Sequence, residues 1–405
     1  MKNIMLIVLD GLGDRPNQIL SGKTALQAAF HPNLNRLIRD GQGGLMTPIA
    51  PGIRAGSDTS HLSLLGYDPE RFYSGRGPFE AMGLGLEVRP GDVAFRANFG
   101  TTDSRGIVTD RRAGRLADGN SQLAESLNME IDGIRFFVKA GVEHRAALVM
   151  RGDGLSDKIT DSDPHETGRP VNRVMPVSPE GEFTADVLNR FLEVSREVLR
   201  NHEANEGRKK NGKPVANELL LRGPGKAPDL KDFREMHGMS GAVVAGIPMI
   251  TGIGGLLGMH TLKPRGSTGT LDSDFTSKLL AAADLTKKYD YVLVNIKATD
   301  VAGHDGDAIA KKEAIERIDR AIGEMMRSVD EDTVIAVTGD HATPCSVRDH
   351  SGDPVPVLFR SKGILSDRSM FFDELSSSAG MWRISSIDVM NILKEMADRS
   401  EKYGA

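Results

Sequence analysis

The sequence predicts an α/β fold, a mostly parallel sheet flanked by helices and interrupted by a smaller inserted α+β domain. Three observations carry this expectation. Apolar β-branched runs alternate with helix-periodic segments through the last third of the chain, the pattern of strand and crossover helix. Three such runs, at 4–9, 291–296 and 333–337, each end in polar residues just past the carboxyl end, where α/β proteins gather catalytic groups. Composition also shifts at about residue 87: from there to about 175, eleven arginines stand against two lysines.

Along the chain, the run at 4–9 is the first strand and stops at Asp10-Gly11. Segments 24–29 and 33–39 read as short helices parted by His31-Pro32, with Gly41 as a stop. A loop rich in glycine and proline follows at 43–56. It leads into a segment whose Leu62, Leu64 and Leu65 form a helical apolar face, ended by Gly66. Ser57 then stands at the start of a helix, where amide dipoles stabilise an alkoxide or phosphate, although an N-cap is the commoner use of serine there. Residues 73–86 are turn-forming and then helical.

In the arginine-rich segment, 93–98, 134–139 and 146–150 read as strands and 121–128 as a helix, so 87–175 forms a substrate domain of its own. A long helix from 183 to about 205 carries Val187, Leu188, Phe191, Leu192 and Val198. It makes 176–216 a helical connection, with 206–213 as a polar surface loop. A strand at 218–221 then returns to the main sheet and is followed by the loop 222–225, so residues 1–86 and about 217–405 are one discontinuous core. Within it, 274–283 is a helix, 291–296 a strand, and 308–329 a helix with Ile315, Ile318, Ile322 and Met326 on one face; strands at 333–338 and 355–359 complete the series.

The chain has 405 residues, enough for two or three domains, and a net charge of −5 with 26% charged residues, which does not suggest nucleic-acid binding. Its single cysteine, Cys345, excludes an internal disulfide and a thiolate-rich zinc site and fits a reducing, cytoplasmic compartment. No signal peptide is expected, because the first apolar run is too short. Residues 239–259 lack charge, but six glycines and Pro248 make them a poor membrane helix. No membrane partner is expected, and oligomeric state is left open.

Between residues 300 and 350 stand three of the ten histidines, together with Asp300 and Asp340. Asp300 and His304 are four residues apart and close enough to share an ion, with His350 completing a set that leaves positions open. Asp340 and His341 are adjacent; past a strand end they can converge with Asp10. Carboxylate and imidazole together suit manganese, zinc or iron better than calcium. Two such ions can activate a hydroxyl and neutralise a transferring phosphoryl group. Arginine supplies bidentate contacts to phosphate and carboxylate, and the runs at 110–115 and 151–154 are the expected contact points.

These residues resemble the alkaline phosphatase superfamily and, within it, the archaeal type of cofactor-independent phosphoglycerate mutase. The resemblance covers nearly the whole chain. It rests on V-L-D-G-L-G-D at 8–14, G-S-D-T-S-H-L-S-L-L-G-Y-D-P at 56–69, Y-S-G-R-G-P-F-E-A at 73–81, D-R-R-A-G-R at 110–115, D-P-H-E-T-G at 163–168, I-K-A-T-D-V-A-G-H-D-G-D at 296–307 and D-H-A-T-P-C-S-V-R-D-H-S at 340–351. The resemblance implies an alkaline phosphatase-like core. It also implies that Ser57 is the nucleophile, with Asp10, Ser57, Asp340 and His341 around one metal and Asp300, His304 and His350 around the other. For the glycerate it points to Arg111, Arg112 and Arg115, to Arg151 with Asp153 as an Asp-Arg element in altered order, and to either His144 or His165. Lys297 is expected either to contact a phosphate oxygen or to serve structure; Cys345 is expected to pack.

The implied reaction interconverts 3-phosphoglycerate and 2-phosphoglycerate, with two divalent ions (manganese first; magnesium, zinc or cobalt next) and without 2,3-bisphosphoglycerate. It requires that water be kept from the phosphoserine, which an arginine-rich insertion closing over the site would do. The rival expectation is another reaction on the same scaffold, by a phosphatase, phosphodiesterase or phosphopentomutase. A non-catalytic metal- or phosphate-binding relative would have lost a ligand or Ser57, and none is lost.

Overall fold

The structure is a computed structural model that describes every residue except 117, 403 and 405. The chain forms two compact units, Met1–Arg71 with Lys231–Ala405, and Phe72–Leu230. Among the described residues, no helix is long and apolar enough to cross a membrane.

The first unit is built on an eight-stranded sheet in the order His260–Leu262, Gly241–Val244, Tyr291–Ile296, Ile4–Leu9, Val334–Thr338, Val355–Arg360, Gln42–Thr47, Trp382–Ser385. Five of its seven pairings are parallel. The three central strands are buried at every position, because helices cover both faces, and therefore read as unbroken apolar runs. On one face, helices Phe275–Leu285 and Ala308–Met325 bury Leu279, Ile315, Ile318 and Ile322 against Ile7, Val294 and Val337. Strand Val355–Arg360 is antiparallel to both neighbours. No helix separates it from Val334–Thr338, so no parallel crossover is available.

One expectation for this unit changes. Residues 43–56 are not all loop, since Gln42–Thr47 is a strand. Its glycines disguise it, yet they are required by packing: a Cβ at Gly44 would overlap Trp382, and one at Gly43 would lie 2.7 Å from Ile38 Cδ1. Asp300 and His304 lie on helix Ala298–Asp305, one turn apart and on one face.

The second unit is an antiparallel sheet in the order Val108–Asp110, Val93–Thr102, Arg145–Arg151, Ile134–Ala140, Met129–Ile131, with Glu218–Lys226 also pairing Val93–Thr102. Helix Glu182–Asn201 covers one face, where Phe191 stacks on Phe136 at 4.1 Å and packs with Phe95, Phe99 and Leu148.

The domain boundaries therefore differ from those expected. The strand at 218 does not return to the main sheet: its register lies with Val93–Thr102, which places 217–230 in the second unit. Residues 72–86 join it as well, since helix Gly77–Gly83 sits so close to Val93–Thr102 that a Cβ on Gly77 would overlap the Ala94 carbonyl. Nor is 176–216 a connection, because its long helix supplies the core of this unit. Within it, the expected loop 206–213 is largely helix Glu203–Lys210. That helix is polar on all sides and shows no apolar period. His202 Nδ1 caps it at the Ala204 amide, Glu203 and Glu206 open it, and Arg208, Lys209 and Lys210 close it in the sense that its dipole favours.

Candidate metal centre

Strand ends and two helices of the first unit bring the expected residues to one place. Asp10 follows Ile4–Leu9, Lys297 follows Tyr291–Ile296, and Asp340 with His341 follow Val334–Thr338. Ser57 is the first residue of helix Ser57–Leu64. His350 arrives from the loop that precedes Val355–Arg360. Asp10, Asp340 and His341 are wholly buried.

Ligand atoms of Asp10, Asp340 and His341 lie within 4.8 Å of one another, as do those of Asp300, His341 and His350. His304 Nε2 joins the second group, 3.4 Å from Asp300 Oδ1, with its ring partly exposed. Ser57 Oγ is 3.0 Å from His341 Nε2 and 3.5 Å from Asp10 Oδ1. All seven residues expected around two ions thus come together, and His341 stands between the groups.

Two features test whether these residues fit divalent ions. Asp340 Oδ2 is buried without a hydrogen-bond partner among the described residues, a costly state that a cation relieves. The three imidazoles also share one arrangement. His304 Nδ1 faces the Arg348 carbonyl at 3.1 Å, His350 Nδ1 the Ala55 carbonyl at 2.7 Å, and His341 Nδ1 the Thr343 hydroxyl at 3.1 Å. A carbonyl only accepts, so Nδ1 of His304 and of His350 carries a proton and Nε2, the atom a metal ligand would use, is turned toward the carboxylates.

The electrostatics agree at His341, while at His350 burial is outweighed by the hydrogen bonds to Asp300 and the Ala55 carbonyl, which raise the ring. Burial holds His341 below the usual imidazole range, against the pull of Asp340 and Asp10, so the ring is neutral as a ligand must be. For Asp300, burial raises the carboxyl, but the hydrogen bond to His350 and the charge of Lys297 outweigh it and hold it well below the carboxylate range. Lys297 Nζ lies 2.7 Å from both Asp10 Oδ1 and Asp300 Oδ2 and 3.2 Å from Ser57 Oγ. Burial lowers its pKa, yet Asp10, Asp300 and Asp340 more than reverse this and keep it an ammonium.

Sequence reasoning missed three residues here. His61 donates from Nδ1 to the Ser57 carbonyl at 2.6 Å, and Asn295 Nδ2 lies 2.9 Å from Asp10 Oδ2 and 3.2 Å from His61 Nε2. Thr343 is the third. An asparagine inside the otherwise apolar run 291–296 was the available signal for Asn295; nothing local distinguishes Thr343. Cys345 is buried and its thiol is pushed up to about 11 by that burial, which suits packing.

In the second unit the expected residues separate. Arg151 is held by Asp92 at 2.8 Å and by the Glu87 carbonyl at 3.0 Å, with its guanidinium over the Phe137 ring, and Asp153 is exposed nearby. His165 is exposed and paired with Asp161, and Arg112 and Arg115 are exposed. Arg111 forks onto buried Asp163 at 3.0 and 2.6 Å.

A second candidate anion site lies on the sheet itself. Phe95, Ala97 and Phe99 face the core, so Arg96 points to the opposite face, directly across from Arg222 and beside the register of Arg145. Like charges placed opposite one another cost stability, which a bound anion recovers. Burial pushes Arg96 down to about 10, helped by Arg222, Arg76 and Arg145 and opposed by Glu80. Beside them, burial and then Arg145, Arg112 and Arg96 push His144 down to about 4, and its Nδ1 lacks a hydrogen-bond partner among the described residues. Period-two reading of 93–99 could have found Arg96; pairing it with Arg222 needed the register.

Comparison with known proteins agrees with both units. Residues 39–205 match the family of 2,3-bisphosphoglycerate-independent phosphoglycerate mutases, and residues 260–392 match type I phosphodiesterases / nucleotide pyrophosphatases. A 2,3-bisphosphoglycerate-independent phosphoglycerate mutase of Thermoplasma volcanium is 55% identical over 405 residues, covering 100% of this chain and 99% of its own. One from Methanopyrus kandleri is 48% identical, covering 100% and 98%. Among solved structures, a cofactor-independent phosphoglycerate mutase from Thermoplasma acidophilum superposes with a TM-score of 0.77 at 48% identity, covering 98% of this chain and 100% of that one. A protein from Pyrococcus horikoshii gives 0.87 at 37%, covering 100% and 99%.

Proposed function

The chain belongs to the family of 2,3-bisphosphoglycerate-independent phosphoglycerate mutases, and from that premise we propose that it interconverts 3-phosphoglycerate and 2-phosphoglycerate through a phosphoserine at Ser57. The observation that carries the reading is Ser57 Oγ, at the start of a buried helix and within 3.5 Å of both His341 Nε2 and Asp10 Oδ1. Asp10, Ser57, Asp340 and His341 would hold one divalent ion, and Asp300, His304 and His350 the other. Such ions lower the pKa of a hydroxyl and neutralise charge on a transferring phosphoryl group; manganese is the first candidate, then magnesium, zinc and cobalt.

In the first step the Ser57 Oγ–P bond forms as the bond from phosphorus to the glycerate C3 oxygen breaks, and the serine proton ends on that oxygen. The glycerate turns without leaving. Its C2 oxygen then takes the phosphoryl group back and gives its proton to Ser57, so nothing is consumed and 2,3-bisphosphoglycerate is not needed. The first amides of helix Ser57–Leu64 favour the dianionic phosphoserine. Lys297, kept charged by three carboxylates, adds a positive group 3.2 Å from the serine oxygen. In the second unit, Arg96, Arg145 and Arg222 are the arginines whose forks suit the glycerate carboxylate.

The phosphodiesterase likeness spans only 260–392, whereas the mutase likeness covers most of the arginine-bearing unit, which supports the mutase reading. A reversible step of glycolysis and gluconeogenesis in the cytoplasm fits the substrate and the single cysteine.

The test is a coupled assay on 3-phosphoglycerate without 2,3-bisphosphoglycerate, after chelation and repletion with manganese, for wild type and Ser57→Ala, with free phosphate followed in parallel. Metal-dependent 2-phosphoglycerate formation that falls at least about 10³-fold in Ser57→Ala is expected. Phosphate release without isomerisation would overturn the mutase reading and leave a phosphatase.

A further inference from the structure

We propose that Thr343 is a positioning residue whose one hydroxyl joins the two ligand groups, setting the tautomer of His341 for one and the carboxylate of Asp300 for the other. The inference rests on the metal-centre reading above. Thr343 is fully buried, and its Oγ1 lies 2.8 Å from Asp300 Oδ1 and 3.1 Å from His341 Nδ1.

A hydroxyl has one proton to give. Ionised Asp300 can only accept, so the proton goes to Asp300 Oδ1. The oxygen then has only lone pairs for His341, and Nδ1 must carry the ring's proton. His341 Nε2 is left bare, facing Ser57 Oγ, Asp340 Oδ2 at 3.3 Å and Asp10 Oδ1 at 3.5 Å. The opposite tautomer would leave two acceptors, Nδ1 and Asp300 Oδ1, competing for one hydrogen.

The surrounding backbone gives this hydroxyl little freedom. The Thr343 amide donates to the Gly13 carbonyl at 3.1 Å. The ammonium of fully buried Lys311 donates to that same carbonyl at 3.0 Å and to the Thr343 carbonyl at 2.9 Å. Gly11, at φ +66°, lies under the side chain, where a Cβ would come 2.6 Å from Thr343 Oγ1 and 2.7 Å from the Asp300 Cα. A Cβ on Gly303 would overlap the Thr343 carbonyl. Strand-end loop, metal helix and the loop after Asp340 are thus closed around one side chain. Removing the hydroxyl should disorganise a ligand in each group at once.

The experiment titrates metal-free full-length protein with manganese, reading free ion by electron paramagnetic resonance, for wild type, Thr343→Val and Thr343→Ser. The valine keeps the branched shape and the serine keeps the hydroxyl. Wild type should take up two ions. Thr343→Val should bind both more weakly, by about 10- to 100-fold, while Thr343→Ser stays within a few-fold of wild type. Unchanged binding in Thr343→Val, weakening of one ion only, or equal weakening in valine and serine would each overturn the proposal. If wild type itself bound no manganese, the metal-centre reading would fail first, which separates the two failures.

Discussion

Glu374 shows how far burial moves one group away from the catalytic residues. Its carboxyl is pushed up to about 7 from 4.5 by desolvation, although the Thr24 hydroxyl at 2.7 Å and the Asp14 amide at 3.2 Å pull the other way. Between those values the folded protein holds a proton that the unfolded chain has released. This contribution is therefore fully present below pH 4.5 and is lost as pH rises to about 7. Glu374→Gln keeps an acceptor for Asp14 and a donor for Thr24, so it should match wild type in urea unfolding at pH 4 and exceed it at pH 8. An equal difference at both pH values would show that the carboxyl titrates normally. At this scale the candidate metal ligands were legible, because carboxylate and imidazole at such density have few other uses. Asn295 meets Asp10, and Thr343 meets Asp300, only through the fold, while the contacts of His61 with Ser57 and of Thr343 with His341 are local but unmarked by composition.

Elements are where local pattern and packing part company. Alanine is the better helix former, so Gly77→Ala, at the first residue of helix Gly77–Gly83, should by propensity strengthen that helix. The Ala94 carbonyl leaves no room for the methyl group, and overpacking of that kind costs about 1–3 kcal/mol. The expected result is a lower unfolding midpoint for Gly77→Ala, measured by circular dichroism in urea; a higher one would mean the helix shifts freely. Strand Gln42–Thr47 and helix Glu203–Lys210 escaped the sequence for related reasons. The strand is glycine-rich because Trp382 and Ile38 press on it, and the helix stands on caps and charge order rather than an apolar stripe.

At the scale of the whole molecule, the role proposed for the arginine face sets function against stability. Arg96 stands opposite Arg222, with Arg76 and Arg145 adding like charge and Glu80 opposing it. Arg96→Met removes that repulsion while keeping an unbranched chain over the sheet. Its thermal midpoint should equal or exceed wild type, with KM for 3-phosphoglycerate raised at least about 10-fold and manganese binding unchanged. An unchanged KM would remove this face from the glycerate site.

What the sequence determined by itself was whatever depends on residue type and short spacing. That includes the α/β class from alternating periods, the candidate metal ligands clustered between residues 300 and 350, the serine at a helix start and the arginine-rich segment. What only the tertiary structure decided was long-range pairing. Strand Glu218–Lys226 joins Val93–Thr102 and so moves the domain boundary; Arg96 meets Arg222; the Thr343 hydroxyl meets Asp300 and His341. The physical reason is that period and composition act over a few residues. Register is settled instead by which buried faces fit together, across more than a hundred residues between Arg96 and Arg222.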